Sequence, residues 1–198
     1  GFSRGAQLAG IEVVLAVDSD ACALAYHEIN HPSCRHAHLE LGTPSGDAEL
    51  QRMIHVETAS RRWHLHASPP CPSFSVLSNS NHARTKDLTL TRWVIHLIER
   101  LKPTSFTYEN VNSSEITGLL GAHGIRWGSF GFADYGLPQS RRRLLAGSPA
   151  LIRLFSTDPT LRERRSIRDA LPDLEDKIAL IRTAAGKREA RAFRGLDG

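Results

Sequence analysis

Short apolar runs alternate along the chain with longer segments of helical periodicity. The short runs predict strands at 13–17, 63–67, 105–108, 125–133 and 143–146, and the periodic segments predict helices at 21–29, 88–101 and 114–123. This alternation predicts an α/β fold, a doubly wound and mostly parallel sheet with helices on both faces. Ligands of such sheets bind at the carboxyl ends of the strands, so the residues that follow each strand are the candidates for function.

The pattern divides the chain unevenly. Residues 1–148 carry the alternation, whereas residues 149–198 are arginine-rich and weakly periodic, so we expect a small separate segment there. The chain opens in a helix-like segment with no strand before it and closes on a turn-like GLDG sequence. We therefore expect a fold that is truncated at both ends.

Composition excludes several classes of protein. Apolar residues make up 40% of the chain, enough for a core, and no run of eighteen apolar residues predicts a membrane span. The three widely spaced cysteines do not suggest a disulfide framework, and no signal segment opens the chain, so a cytoplasmic protein is expected. Residues 141–198 hold 14 Lys and Arg against 8 Asp and Glu, a charge that suits a nucleic-acid partner and, equally, a solvated basic surface.

Cys71 has the surroundings of a nucleophile. It lies in the sequence SPPCPSFS directly after a predicted strand, and three prolines surround it. Proline is excluded from central strands, so this cysteine is expected on a stiff loop at a strand end. A structural role as a small core residue remains the default for Cys22 and Cys34.

Acidic residues close two other predicted strands. Glu109, in YENV, points by its position toward the same crevice as Cys71, although Asn110 or Asn112 could instead serve only to cap the next helix. Asp18 ends the VVLAV strand, where an acidic residue can hold ribose hydroxyls. A basic cluster at 141–143 follows the turn at 134–140, and it could also be a charged sheet edge.

A histidine-rich stretch invites a metal interpretation. It contains the residues His27, His31, Cys34, His36 and His38. Their spacing fits no standard structural-zinc pattern, so we interpret them as a helix end and loop that happen to be rich in histidine. The sequence therefore predicts no metal.

Taken in order, these motifs resemble those of the cytosine-C5 DNA methyltransferases. GFSRGAQLAG resembles the end of the glycine-rich donor loop, AVDSD the ribose-binding strand end, SPPCPSFS the nucleophile loop, YENV the ENV motif, and DYGLPQSRRR the Q-x-R-x-R motif. The resemblance covers residues 1–147, from the end of the first motif to the eighth. It implies a Rossmann-like catalytic domain over 1–148 and the start of a variable target-recognition region over 149–198.

The resemblance also implies a mechanism on a cytosine flipped out of double-stranded DNA. Cys71 would attack C6 of the ring, and Glu109 would protonate or hydrogen-bond N3. Arg141 and Arg143 match arginines near the flipped base, and Asn110 would brace the nucleophile loop. No metal takes part in this chemistry.

The methyl donor implied by the resemblance is S-adenosylmethionine. Its expected contacts are Phe2, Asp18, Ser19, Glu40, Pro70 and Leu90. Phe2 would pack near the adenosyl group, Asp18 would hold the ribose, and Glu40 would contact the adenine amine. Leu90 is the weakest match of the six.

Some positions depart from the family pattern and leave alternatives open. Pro72 replaces the usual Gln after the cysteine, which removes a backbone N–H and a side-chain amide from the pocket. A tRNA cytosine-C5 methyltransferase would use the same chemistry, but its Cys-Phe-Thr signature is absent. A catalytically impaired nucleic-acid-binding fragment is the third alternative. The family resemblance further suggests a monomer from a prokaryote or phage, with a cognate restriction endonuclease as a possible partner.

Overall fold

The computed structural model describes residues 1–58, 61–70, 81–157, 165–170, 178–182 and 188–192. Its helices are α1 (Phe2–Leu8), α2 (Ala21–Asn30), α3 (Pro44–Thr58), α4 (Asn81–Leu101), α5 (Ser114–Ala122), α6 (Pro149–Thr157) and α7 (Ile167–Ala170). Its strands are β1 (Leu15–Asp18), β2 (Arg35–His38), β3 (His64–Ala67), β4 (Ser105–Asn110), β5 (Arg126–Gly131), β6 (Arg142–Gly147), β7 (Ile178–Arg182) and β8 (Arg188–Ala192). Within these residues no helix is both long and apolar enough to cross a bilayer.

The strands form three sheets that confirm the predicted α/β class. β1 and β2 pair in parallel, a four-stranded sheet has the order β3-β4-β6-β5, and β7 pairs with β8 in antiparallel. β6 runs antiparallel to both β4 and β5, so β4 and β5 point the same way. The connections explain this arrangement, because the parallel step from β4 to β5 uses helix α5, whereas a short 3-10 turn reverses the chain between β5 and β6.

The chain divides into two compact units. The first comprises Gly1–Leu65 and Arg92–Ser105, and the second comprises His66–Thr91 and Phe106–Gly198. The predicted boundary at 148/149 stays a prediction.

The core of the first unit is formed by α3, the last turns of α4, and residues in or next to β1, β2 and β3. Leu50, Ile54 and Leu97 are buried at its centre. The partly buried residues packed on them are Leu15, Val17, Leu39, Leu41, Trp63, Leu65, Trp93 and Leu101. The apolar run of β1 thus contributes one of its sides to this core, as its hydrophobicity predicts.

Close packing fixes the start of α3. A β-carbon on Gly46 would overlap the backbone carbonyl of Glu40, and Glu40 also accepts a hydrogen bond from Thr43 Oγ1 at 2.7 Å. Glycine is therefore required for the close approach of this helix to the chain that leaves β2.

The core of the second unit follows the two-residue period of β4 and β6. Tyr108, Leu144 and Ala146 are at most 1% exposed and lie on one face of the sheet, and Ile116 and Leu120 of α5 are equally buried. Glu109 and Arg143 belong to the opposite face, and both are only partly buried. The alternation therefore separates a packed face from a polar face at the end of β4.

Caps define the helices that follow the functional strands. Asp20 caps α2, its Oδ1 accepting the N–H groups of Cys22 and Ala23 at 2.8 and 3.2 Å. Ser113 caps α5 by accepting the N–H of Ile116 at 3.2 Å. Because Asp20 and Ser113 supply the caps, the side chains at the preceding strand ends, Asp18 and Asn110, make contacts other than helix capping.

Candidate functional site

Glu109 and Arg143 meet on the polar face of the four-stranded sheet. The antiparallel register pairs Glu109 with Leu145, and Arg143, two residues before Leu145 on β6, lies on the same face as Glu109. Arg143 Nε is 3.5 Å from Glu109 Oε1, and the two side chains are 19% and 28% exposed. The structure thus brings together an acid and a cation at a strand end, partly shielded from water, as a charged transition state requires.

Arg143 makes a hydrogen bond within its own strand and has an aromatic residue opposite it on β5. Its Nη1 donates to the carbonyl of Arg142 at 2.8 Å, and the register with β5 places Phe130 opposite it. Phe130 makes an edge-to-face contact with Tyr135 at a ring-centroid distance of 6.4 Å. An aromatic side chain therefore borders the polar face beside the Glu109–Arg143 pair.

The other two arginines of the basic cluster are arranged differently. Arg141 is exposed in the loop before β6, and its carbonyl accepts the N–H of Phe132 at 3.1 Å. Arg142 is also exposed, and its Nη2 donates to the carbonyl of Ser129 at 3.3 Å. Alternation along β6 thus turns Arg142 away from the face that holds Arg143.

Asn110 is the centre of a buried hydrogen-bond network. Its Nδ2 donates to the hydroxyl of Tyr108 at 2.8 Å and to the carbonyl of Pro69 at 3.3 Å. Tyr108 in turn shares a hydrogen bond of 2.9 Å with Thr91 Oγ1. Asn110 is 6% exposed, Tyr108 1% and Thr91 0%. Buried groups satisfied in this way hold one another in a single geometry.

This network fixes the chain immediately before the predicted nucleophile. Pro69 lies two residues before Cys71, and its carbonyl is tied to the end of β4 through Asn110. Cys71 itself lies outside the described residues, as does Pro72. The expected approach of Cys71 to Glu109 therefore stays a prediction.

Asn110 does not cap α5, the alternative that the sequence left open. Its Oδ1 accepts the N–H of Val111 at 2.8 Å, while Ser113 caps the helix. Sequence reasoning also missed Tyr108 and Thr91. The motif YENV contained the signal for Tyr108, because residues two apart on a strand share a face and can hydrogen-bond.

The first unit carries four of the residues predicted to bind the donor. Asp18 is exposed at the carboxyl end of β1, and its Oδ1 accepts the N–H of Asp20 at 2.9 Å. The parallel register sets Asp18 opposite His38, so Glu40, two residues beyond β2, lies at the same edge of this sheet. His38 Nε2 lies 2.9 Å from the carbonyl of Ser19 and ties the two strand ends together.

Phe2 lies at the start of α1 with 45% of its surface exposed. Its ring stacks on His64 at a centroid distance of 6.2 Å and an interplanar angle of 15°. Burial lowers the pKa of His64, which keeps this imidazole neutral. An exposed aromatic ring stacked on a neutral imidazole is suited to packing against an adenosyl group.

Two predicted donor contacts belong to the second unit. Pro70 is exposed at the end of the described loop, and Leu90 is half-buried on α4. A shallow groove of about 420 Å³ opens beside Glu40 in the first unit. Its lining residues are His38, Leu39, Glu40, Thr43, Ser45, Gly46 and Glu49.

Comparison with known proteins bears directly on these motifs. The family model described as C-5 cytosine-specific DNA methylase matches residues 1–114. The Type II methyltransferase M.XorII of Xanthomonas oryzae pv. oryzae is 26% identical over 190 residues, which is 89% of this chain and 44% of that protein. A crystal structure provisionally described as a DNA modification methyltransferase encoded within an E. coli prophage superposes with a TM-score of 0.59.

The crystal structure is 23% identical in sequence, and the match covers 85% of this chain and 50% of that one. It therefore supports the fold. The chain spans half or less of the length of these relatives.

Proposed function

Because the chain belongs to the C-5 cytosine-specific DNA methylase family, we propose that it methylates carbon 5 of cytosine in DNA. The observation that carries the proposal is the geometry at the end of β4. There Glu109 and Arg143 lie 3.5 Å apart on the polar face, while Asn110 holds the carbonyl of Pro69 just before Cys71. A nucleophile, an acid and a cation are thus assigned to one strand end and the loop next to it.

Cys71 is the proposed nucleophile. Its thiolate would form a bond to C6 of a cytosine flipped out of the duplex, and the electron pair of the C5–C6 double bond would move toward C5 and N3. Attack by a thiolate needs a fixed approach. The hydrogen bond from Asn110 to Pro69, which Tyr108 supports, fixes the chain two residues before Cys71 and so favours such an approach.

Glu109 is the proposed acid. Protonated, it would donate to N3 of the ring and so stabilise the negative charge that the thiolate attack produces. Arg143 lies close enough to fix the orientation of this carboxyl group and to offer its guanidinium to the carbonyl oxygen at C2. Arg141, exposed at the start of the same segment, is assigned to the DNA side of the pocket.

S-adenosylmethionine is the proposed donor, and the residues of the first unit fit it. Asp18 is exposed, and a carboxylate that accepts one backbone N–H retains acceptor sites for ribose hydroxyls. Phe2 offers its exposed ring to the adenosyl group, and Ser19 and Glu40 are assigned to the adenine. The contacts of Pro70 and Leu90, which belong to the second unit, stay predictions. When bound, the donor supplies an electrophilic methyl group.

The last steps of the proposed reaction regenerate the free protein. Once C5 carries the methyl group, a base removes the C5 proton, the C5–C6 double bond forms again and the Cys71–C6 bond breaks. The arginine-rich residues 141–198 are assigned to DNA phosphates, whose charge they complement.

A labelled-methyl transfer assay on the whole protein tests the proposal. Duplex DNA and tRNA are offered in parallel, and the product base is identified by mass spectrometry. We expect 5-methylcytosine in DNA, a loss of at least about 10³-fold for Cys71→Ser and unchanged rates for Cys22→Ser, which replaces an exposed free cysteine. Methylation of tRNA alone, or full activity of Cys71→Ser, would overturn the assignment.

A further inference from the structure

Three metal-ligating side chains converge where α2 turns into β2, and a fourth, His31, lies beside His27. His27 lies in the last turn of α2, His31 is the residue that ends this helix, Cys34 follows in the turn, and His36 lies in β2. One ligand atom each from His27, Cys34 and His36 lies within 4.8 Å of the others. None of these side chains takes part in the proposed methyl transfer.

The backbone holds this arrangement in place. The N–H of Cys34 donates to the carbonyl of His31 at 3.0 Å and closes the turn, while the N–H of His31 donates to the carbonyl of His27 at 2.9 Å. The parallel register of β2 with β1 pairs His36 with Ala16. The cluster is therefore built on a helix end and a paired strand and does not depend on a free loop.

The imidazole rings of the cluster lie in contact with one another. His27 Nδ1 lies 2.7 Å from His36 Nε2, and the ring centroids of His27 and His31 are 4.4 Å apart. His31 is 6% exposed, and its buried Nδ1 has no hydrogen-bond partner among the residues that the structure describes. A buried polar atom of this kind calls for an explanation, and a bound ion is one.

Burial also suits a structural ion. Cys34 is 6% exposed, and His27 and His36 are partly buried. A metal would displace the thiol proton on binding, with the released proton passing to solvent.

We propose that His27, Cys34 and His36 bind one zinc-class divalent ion, with His31 as the fourth ligand. One thiolate and three imidazoles form a donor set that suits Zn²⁺ and its spectroscopic substitute Co²⁺. Tetrahedral bonds of 2.0–2.1 Å require ligand nitrogens roughly 3.3 Å apart, so the 2.7 Å contact between His27 and His36 opens by roughly 0.6 Å on binding.

Ser3 supports this assignment from outside the ligand set. Its Oγ lies 2.8 Å from Nε2 of His27, the ring nitrogen that does not face His36. A ligating histidine commonly donates its second N–H to such a partner, which fixes the tautomer and the orientation of the ring. The sequence predicted no metal here because the spacing of the histidines and the cysteine fits no standard structural-zinc pattern. The spacing is unusual because the residues lie on a helix, the turn after it and the following strand.

Titration of the metal-free chain with Co²⁺, followed by absorption, tests the proposal. We expect one equivalent to produce tetrahedral d–d bands and a thiolate-to-cobalt charge-transfer band. Cys34→Ser should abolish the charge-transfer band, and Ser3→Ala should weaken binding about tenfold. Cys22→Ser and His55→Ala, at exposed positions, should bind as the parent chain does.

X-ray absorption of the zinc-loaded parent chain gives an answer even if Cys34→Ser fails to fold. The expected shell contains one sulfur at about 2.3 Å and three nitrogens at about 2.0–2.1 Å. Saturating Zn²⁺ should also raise the melting temperature by about 5–10 °C at a free concentration about 100 times Kd. A shell without sulfur, a charge-transfer band that survives Cys34→Ser, or no binding at all would overturn the proposal.

Discussion

Replacing Tyr108 by Phe removes a single oxygen atom from the centre of the network at the end of β4. The ring is 1% exposed and keeps its packing against the core, so the change isolates the hydroxyl. That hydroxyl accepts a hydrogen bond from Asn110 at 2.8 Å and shares another with Thr91 at 2.9 Å. Both contacts are lost together in Tyr108→Phe.

The structure sets the size of the effect. A buried hydrogen bond contributes about 1 kcal/mol net, so losing two costs about 2 kcal/mol of unfolding free energy. For a chain of this length, that loss lowers the melting temperature by about 4–8 °C. Methyl transfer should fall as well, because Nδ2 of Asn110 then loses the support of Tyr108 for its 3.3 Å contact to Pro69 and holds the chain before Cys71 less firmly.

Chemical unfolding followed by circular dichroism measures the stability, and Tyr26→Phe is the matched control. Tyr26 is 67% exposed, so removal of its hydroxyl should change the free energy by less than about 0.5 kcal/mol. A double-mutant cycle with Thr91→Val should show a coupling of about 1 kcal/mol. If Tyr108→Phe unfolds like the parent chain, the network does not stabilise the strand end and the reasoning fails.

Three further predictions follow from other parts of the chain. Gly46→Ala should destabilise the chain by about 1–3 kcal/mol through its clash with a backbone carbonyl, whereas Gly118→Ala, in open space on α5, should stabilise it by about 0.5–1 kcal/mol in the same unfolding assay. The pKa of His64 is lowered below its ordinary 6.5, so the unfolded chain takes up a proton that the folded chain refuses. Stability should therefore fall as the pH drops below 6.5, and a smaller fall is expected for His64→Asn but not for His55→Asn. DNA affinity of the whole protein should decrease linearly with salt on a double-logarithmic plot, and a flat plot would count against phosphate contacts by residues 141–198.

Local sequence patterns predicted the strand ends that carry the candidate site. The apolar run of β1 leads directly to Asp18, and the run of β4 leads to Glu109, so their positions followed from strand periodicity alone. The family that the ordered motifs indicated is confirmed by the match to the family model. The α/β class that the alternation predicted is confirmed as well. The roles assigned to the individual site residues stay predictions.

Other elements could not be predicted because their stability comes from the tertiary structure. β2, with the sequence RHAH, has no apolar run and forms because β1 pairs with it. α3 begins with proline and glycine near its start and buries only Gly46, Leu50, Met53 and Ile54 among fifteen residues. The reversed β6 depends on the turn that precedes it, and the pairing of Arg143 with Glu109 depends on the register of that strand.

The central claim is that Cys71 attacks C6 of cytosine. Duplex DNA in which 5-fluorocytosine replaces the target cytosine tests it most directly, because fluorine at C5 cannot leave as a proton and the enzyme stays bound to the base. With S-adenosylmethionine present, the whole protein should form an adduct that survives denaturation, and peptide mapping should place the added mass on Cys71. Cys71→Ser should form none, whereas an adduct that persists in this variant, or the absence of any adduct with the parent protein on its target DNA, would contradict the account.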